Sequence, residues 1–160
     1  MQTKTPITSK GYIAVEEELA RLIKNDREEL KVVIAEARAL GDLKENAEYH
    51  SAKEKQSLLE GRISQLQAVV ASAQVIKVSE IESDTIVFGA TVTLLDVDKD
   101  STVIYQIVGQ SESDKDNGKI SYTSPLGKAL IGKEEGDTVI VKAPKGDVEY
   151  EVESIEFKDS

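Results

Sequence analysis

Two stretches with the same helical period, joined by a very short connection, constrain this chain more than any other feature. From Tyr12 to Leu40 the positions Val15, Leu19, Leu22, Asp26, Leu30, Val33, Ala37 and Leu40 run at spacings of four and three, the stripe of an amphipathic helix with one polar interruption. From Tyr49 the positions Ala52, Gln56, Leu59, Ile63, Leu66, Val70 and Ala73 carry a matching seam. At the junction sit Gly41, Asp42 and Leu43. So short a link forces antiparallel neighbours, and Gly41 suits the left-handed position that often ends a helix. The expected element is a helical hairpin, with Thr8 or Ser9 capping its start. Arms of roughly 28 residues, at about 1.5 Å per residue, give it a reach on the order of 40 Å. One seam between two helices leaves most of the surface wet, which suits a composition 31% charged and 4% aromatic.

After Val75 the pattern changes to short runs rich in Val, Ile, Thr and Tyr: Thr91 to Val97, Thr102 to Val108, Lys119 to Tyr122, Thr138 to Lys142 and Val148 to Phe157. Pro144, Lys145, Gly146 and Asp147 supply turn chemistry between the last two runs. Ser124-Pro125 can cap and start a short helix that Gly132 ends, and Ser111 to Gly118 is expected as a polar loop. With a linker near Val78 to Asp84, the chain divides into a hairpin domain over 1–77 and a β-rich domain over 78–160, an α+β organisation.

The acidity is uneven. Residues 1–76 hold 11 Lys and Arg against 12 Asp and Glu, whereas residues 77–160 hold 9 against 18. A net charge of -10 argues against sequence-independent binding to duplex nucleic acid, which is driven by cations neutralising phosphates. No cysteine is present, so disulfides and thiolate metal sites are excluded. Glu16, Glu17, Glu18, Arg21 and Lys24 break up any leader-like apolar run near the start, and no stretch is apolar enough to span a bilayer. The expectation is a cytoplasmic protein without membrane contact.

Chemistry-bearing residues gather at the closed end of the hairpin. Asp42 and Glu45 lie three residues apart, where both side chains can point away from the body of the element. Two carboxylates could hold Mg²⁺ as half of a site that a partner completes, because this ion commonly takes one or two protein carboxylates beside water and phosphate oxygens. The same Asp-x-x-Glu spacing describes a capping box, in which Asp42 accepts from the amide of Glu45 and Glu45 reaches back. Arg38, Lys44, Lys53 and Lys55 lie in the adjacent turns, able either to meet RNA phosphates or to pair with Glu36, Glu48 and Glu54. Tyr49 and Leu43 are expected to close the turn against Leu40, and His50 to face solvent with no triad partner. No Gly-rich phosphate loop, zinc spacing or nucleophile motif is present.

The segment Ala37-Arg38-Ala39-Leu40-Gly41-Asp42-Leu43-Lys44-Glu45-Asn46-Ala47-Glu48-Tyr49 closely resembles the tip signature of the Gre family of bacterial transcript cleavage factors. A second family signature is matched by Ile120-Ser121 and by Ser124-Pro125-Leu126-Gly127-Lys128-Ala129-Leu130-Ile131-Gly132-Lys133. Pro6-Ile7-Thr8 with Gly11, and Tyr150-Glu151-Val152, extend the likeness over almost the whole chain. The resemblance implies an N-terminal antiparallel coiled coil that enters the secondary channel of RNA polymerase and a C-terminal FKBP-like domain that docks outside. It implies that Asp42 and Glu45 help to place a catalytic Mg²⁺ and a water when the polymerase has backtracked and extruded the RNA 3′ end. That Mg²⁺ is shared with polymerase ligands and is not expected to bind the free protein tightly. By the same resemblance Arg38 and Lys53 hold the extruded RNA, and Ser124, Pro125 and Leu126 lie in the polymerase-binding surface. The thin basic patch fits the less basic branch of the family.

The implied function is stimulation of the polymerase's own RNA cleavage, with the nascent RNA 3′ end as a partner, DNA met only inside the elongation complex, and a monomeric free protein. Three alternatives stand beside it: a channel-binding inhibitor of the same shape, a coiled-coil adaptor, and a peptidyl-prolyl isomerase. The intact acidic pair argues against the first. The last would want aromatic walls around a proline, and the chain has two Phe, five Tyr and no Trp.

Overall fold

The structure, a computed structural model, describes residues 4–159; the extreme ends of the two expected ranges, 1–3 and 160, lie outside them. Its elements run β1 (Thr5–Thr8), α1 (Ser9–Arg21), a π turn (Leu22–Asp26), α2 (Arg27–Ala39), α3 (Ala47–Ser72), β2 (Ala73–Ile76), β3 (Thr91–Asp96), β4 (Ser101–Val108), β5 (Lys119–Ser121), α4 (Pro125–Leu130), β6 (Thr138–Val141) and β7 (Val148–Glu156). Compactness separates Ile13–Ser72 from the remainder of the described chain, where the residues up to Tyr12 join those from Ala73 onward.

Within Ile13–Ser72 the helical hairpin is present, but its first arm is not a uniform α-helix. The backbone stays right-handed through Arg21 and Asp26, while Leu22–Asp26 winds as a π turn, which takes one more residue than an α turn. Inward positions step from Leu22 to Asp26, Leu30 and Ile34 before Ala37. Ile34 is 7% exposed, whereas Val33 and Leu40, which the regular period assigns to the seam, are 48% and 68% exposed. Asp26, Leu30 and Ala37 keep the inward places that the period assigns; Ile34 takes the place of Val33, and Leu40 lies past the last residue of α2.

The second arm follows its expected seam: Ala52, Ile63 and Leu66 are buried and Gln56, Leu59 and Val70 are half-buried. Leu22, Ile63 and Leu66 form the apolar centre, with Val15, Leu19, Ile23 and Leu59 packed around them. Beyond that centre the arms are tied by charge, through Arg27 with Glu60 and Arg62 with Glu18.

The other unit is built on a five-stranded sheet in the order β5-β4-β3-β7-β6, antiparallel except where β5 runs parallel to β4. Each strand lies within two residues of its expected run. One face buries Val92, Leu94, Ile107, Ile120, Val139 and Val152 with Ile86, Ala90 and Leu130. The short helix α4 is capped by Ser124 and closes this core with Leu130 and Leu126.

Two strands were not expected. β1 and β2 pair in parallel, with Ile7 opposite Val75, and Ala73 begins a strand instead of ending the helical seam. Four-residue runs, one of them containing Pro6, carry too little alternation to be seen by period. Glu112, in the expected polar loop, secures β1: its carboxylate accepts from the Thr8 amide at 3.1 Å, from the Thr8 hydroxyl, and from the Gly109 amide at 2.9 Å. Thr8 in turn caps α1, its hydroxyl oxygen accepting from the Gly11 amide at 3.0 Å.

Candidate functional site

The hairpin turns over residues 40–46. Leu40 ends α2 with its amide bonded to the Ala37 carbonyl at 3.1 Å, and Gly41 takes φ +119°, a backbone conformation that favours glycine. The Asp42 carboxylate accepts from the amide of Lys44 at 3.0 Å, a local Asx turn that uses one of its two oxygens. The bond expected from a capping box, Asp42 to the amide of Glu45, is not formed among the described residues, and Glu45 makes no hydrogen bond or ion pair there. Both carboxylates are exposed.

Capping falls to Asn46. Its Oδ1 accepts from the Tyr49 amide at 3.0 Å, three residues into α3, and its Nδ2 donates to the Ala37 carbonyl at 2.5 Å on the opposite arm. The apolar period marked the second helix from Tyr49 and so passed over Asn46, although an Asn just before a helix is an N-cap signal that could have found it. The turn gains a further tie from His50, whose Nε2 donates to the Lys44 carbonyl at 3.1 Å. His50 is exposed, as expected.

The expected apolar closure of the turn is absent. Leu40 and Leu43 are 68% and 40% exposed, and Tyr49 packs instead beneath Arg38, whose guanidinium carbon stands 5.8 Å from the ring centroid. That distance lies within the range of a cation–π contact. The edge of His50 meets the same ring at a centroid distance of 5.7 Å. The acids and the cap residue share one open hollow, lined by Leu40, Asp42, Glu45, Asn46, Ala47 and Glu48.

The nearby cations do not form the expected pairs with Glu36, Glu48 and Glu54. Among the described residues no ion pair involves Arg38, Lys44, Lys53 or Lys55. Lys53 donates to the Gln56 side chain at 2.8 Å, a neutral contact that leaves its charge uncompensated. Solvent-facing carboxylates and unpaired cations thus occupy the same end of the hairpin.

In the other unit Ser124 does the work of a cap. Its Oγ donates to the Ser121 carbonyl at 2.7 Å and accepts from the Gly127 amide at 3.1 Å. Pro125 is exposed and Leu126 half-buried. Among the described residues no group of three or more His, Cys, Asp or Glu is placed to hold a metal by itself, and no helix is long and apolar enough to cross a membrane.

Comparison with known proteins agrees along the whole chain. Residues 5–75 match the N-terminal model of the transcription elongation factors, and residues 81–157 match the GreA/GreB C-terminal model. Transcription elongation factor GreA of Anaeromyxobacter sp. (strain K) is 52% identical over 154 residues, covering 96% of this chain and 93% of that protein. Its counterpart in Thermodesulfovibrio yellowstonii is 52% identical over 158 residues, covering 99% and 100%. Among solved structures, GreA factor homolog 1 of Thermus thermophilus is 27% identical, with 96% of this chain and 99% of that one covered and a TM-score of 0.45. With both models matched in order and half of all positions shared with these relatives over nearly full length, this chain belongs to the GreA/GreB family of transcription elongation factors.

Proposed function

We propose that this protein stimulates the cleavage of backtracked nascent RNA by RNA polymerase, entering the secondary channel with its hairpin turn and bringing Asp42 and Glu45 to the polymerase's active site. One observation carries the proposal: the turn holds two solvent-facing carboxylates that its own capping does not consume, since Asn46 caps α3 and Glu45 has no partner among the described residues. Named relatives at 52% identity are elongation factors, which supports the same activity here.

The donor set fits Mg²⁺ as half of a site. Two carboxylate side chains match what this ion takes from a protein, and among the described residues no group of three or more His, Cys, Asp or Glu is placed to hold it alone. When bound between the two proteins, Mg²⁺ supplies charge neutralisation and activation of water for phosphodiester hydrolysis. From this chain the Asp42 and Glu45 carboxylates would hold it, and either would also accept a hydrogen bond from the attacking water. Arg38 and Lys53 hold phosphates of the extruded RNA, Arg38 with its guanidinium over the Tyr49 ring. The remaining ligands and the nucleic acids belong to the polymerase, so this protein is a stimulator and not itself the enzyme.

Docking is assigned to the surface around Pro125 and Leu126. Ser124 contributes by fixing that helix start, because both bonds of its hydroxyl are made within the fold. The protein works in the cytoplasm as a monomer and meets DNA only inside the elongation complex. The test is to add it to stalled, backtracked polymerase carrying end-labelled RNA. Short 3′ fragments should appear in a Mg²⁺-dependent manner; their absence with polymerase binding intact would sink the proposal.

A further inference from the structure

We infer that Asn46 is a positioning residue for the acidic pair, setting the geometry in which Asp42 and Glu45 are offered. This rests on the function proposed above and adds a residue to it. The Asn46 side chain joins the two arms across the turn, donating to the last turn of α2 at Ala37 and accepting from the first turn of α3 at Tyr49. Residues 42–45 hang between these points, and their other hydrogen bonds, from the Asp42 side chain and the His50 ring, both end on Lys44. No apolar packing fixes the loop, since Leu40 and Leu43 are exposed. With glycine at position 41 adding no side chain to hold the start of the loop, the cross-turn bond is the hydrogen bond that, beside the Arg38–Tyr49 contact, fixes where the loop begins relative to where α3 starts. The amide side chain does this by carrying its donor and its acceptor on two separate atoms, so that one reaches across the turn while the other caps α3.

The two halves of the role can be separated. Ser at this position caps a helix about as well as Asn, but it is too short to reach Ala37. Asn46→Ser therefore keeps α3 capped and removes only the cross-turn bond, whereas Asn46→Ala removes both. Asn46→Ser is expected to leave thermal unfolding and polymerase affinity unchanged and to lower the maximal rate of stimulated RNA cleavage by about tenfold to a hundredfold, the scale set by misplacing reacting groups by an ångström. Asn46→Ala should show the same rate loss and melt earlier. In the free unsubstituted protein, the Asn46 side-chain amide should be protected from hydrogen exchange.

The outcomes are distinguishable. An unprotected Asn46 amide, or a full cleavage rate with Asn46→Ser, overturns the positioning role and leaves the proposed function standing. Failure of the unsubstituted protein to stimulate cleavage overturns the function and the role together. A rate loss matched by an equal loss of polymerase affinity assigns Asn46 to binding and also overturns the inference.

Discussion

Arg27 and Glu60 meet across the two arms of the hairpin in a two-point pair, Nε to Oε2 at 2.9 Å and Nη2 to Oε1 at 2.7 Å, directly after the π turn of the first arm. The position is informative. The apolar centre around Leu22, Ile63 and Leu66 lies on one side of it, and on the other the seam narrows to Gln56, Ala52, Ile34 and Ala37. The planar fork of arginine matches a carboxylate in two bonds at once, so this pair fixes the register of the arms where packing is thin.

Substitution of this pair should show that geometry outweighs charge. The bond to Glu60 raises the Arg27 pKa above its ordinary value, burial opposing and the charges of Glu60 and Glu28 reinforcing it, so the guanidinium stays charged at every working pH. Salt, more than pH near neutrality, is the lever that weakens such a pair. Arg27→Lys keeps the charge but loses the fork, and it should melt nearly as early as Arg27→Ala when helix content is followed by circular dichroism. If Arg27→Lys melted with the unsubstituted protein, the two-point geometry would contribute nothing.

The clamp on β1 makes a second prediction. Glu112 accepts from the Thr8 amide, the Thr8 hydroxyl and the Gly109 amide, so Glu112→Ala strands donors in a partly buried site and should cost about 1–3 kcal/mol in chemical denaturation. A Cβ at Gly11 would fall inside contact distance of the same carboxylate. Gly11→Ala should therefore act by displacing Glu112, and the double variant should lose clearly less than the two single losses combined. Additive losses would show that the two residues act separately.

Much of this molecule was legible from its sequence, and the unread parts share a cause. The hairpin, the five strands of the main sheet and the capped helix at Ser124 are carried by periods and caps repeated over several residues. The period failed at Val33 because a step of four from Leu30 to Ile34 fits a helix as well as a step of three, and at Leu40 because it falls past the end of α2. β1 and β2 were missed because each is short and is held by a distant partner, the clamp reaching from Thr8 to Glu112. At the turn, the acidic pair was visible as a motif. The cap that frees those acids carried a local signal in Asn46, but its cross-turn bond did not, because that bond ends on a carbonyl nine residues away.

Ser124 separates fold from docking. Its hydroxyl is spent on Ser121 and Gly127, and loss of an N-cap costs about 1 kcal/mol. Ser124→Ala should lower the stability of the β-rich unit by that amount, while Ser124→Asp, which can also cap, should restore most of it. Polymerase affinity, measured by competition, should fall more with Pro125→Ala than with Ser124→Asp if the exposed proline makes the contact. The reverse order would place a direct contact on Ser124.

The acids themselves are best tested by isosteric change. Asp42→Asn can still accept from the Lys44 amide, so it preserves the Asx turn seen at 3.0 Å and removes only the charge. Glu45→Gln disturbs no bond within the described residues, because Glu45 makes none. If the carboxylates acted through the shape of the turn, both variants would retain full stimulation of RNA cleavage. If they act by offering charge and metal ligands, each variant should bind polymerase as the unsubstituted protein does and lose stimulation by at least about a hundredfold, the scale of removing a preorganised electrostatic contact. Raising Mg²⁺ should recover part of that loss, because a site deprived of one carboxylate is weakened in affinity before its chemistry is abolished. A loss that Mg²⁺ does not touch, accompanied by weaker polymerase binding, would instead give the two acids a role in docking.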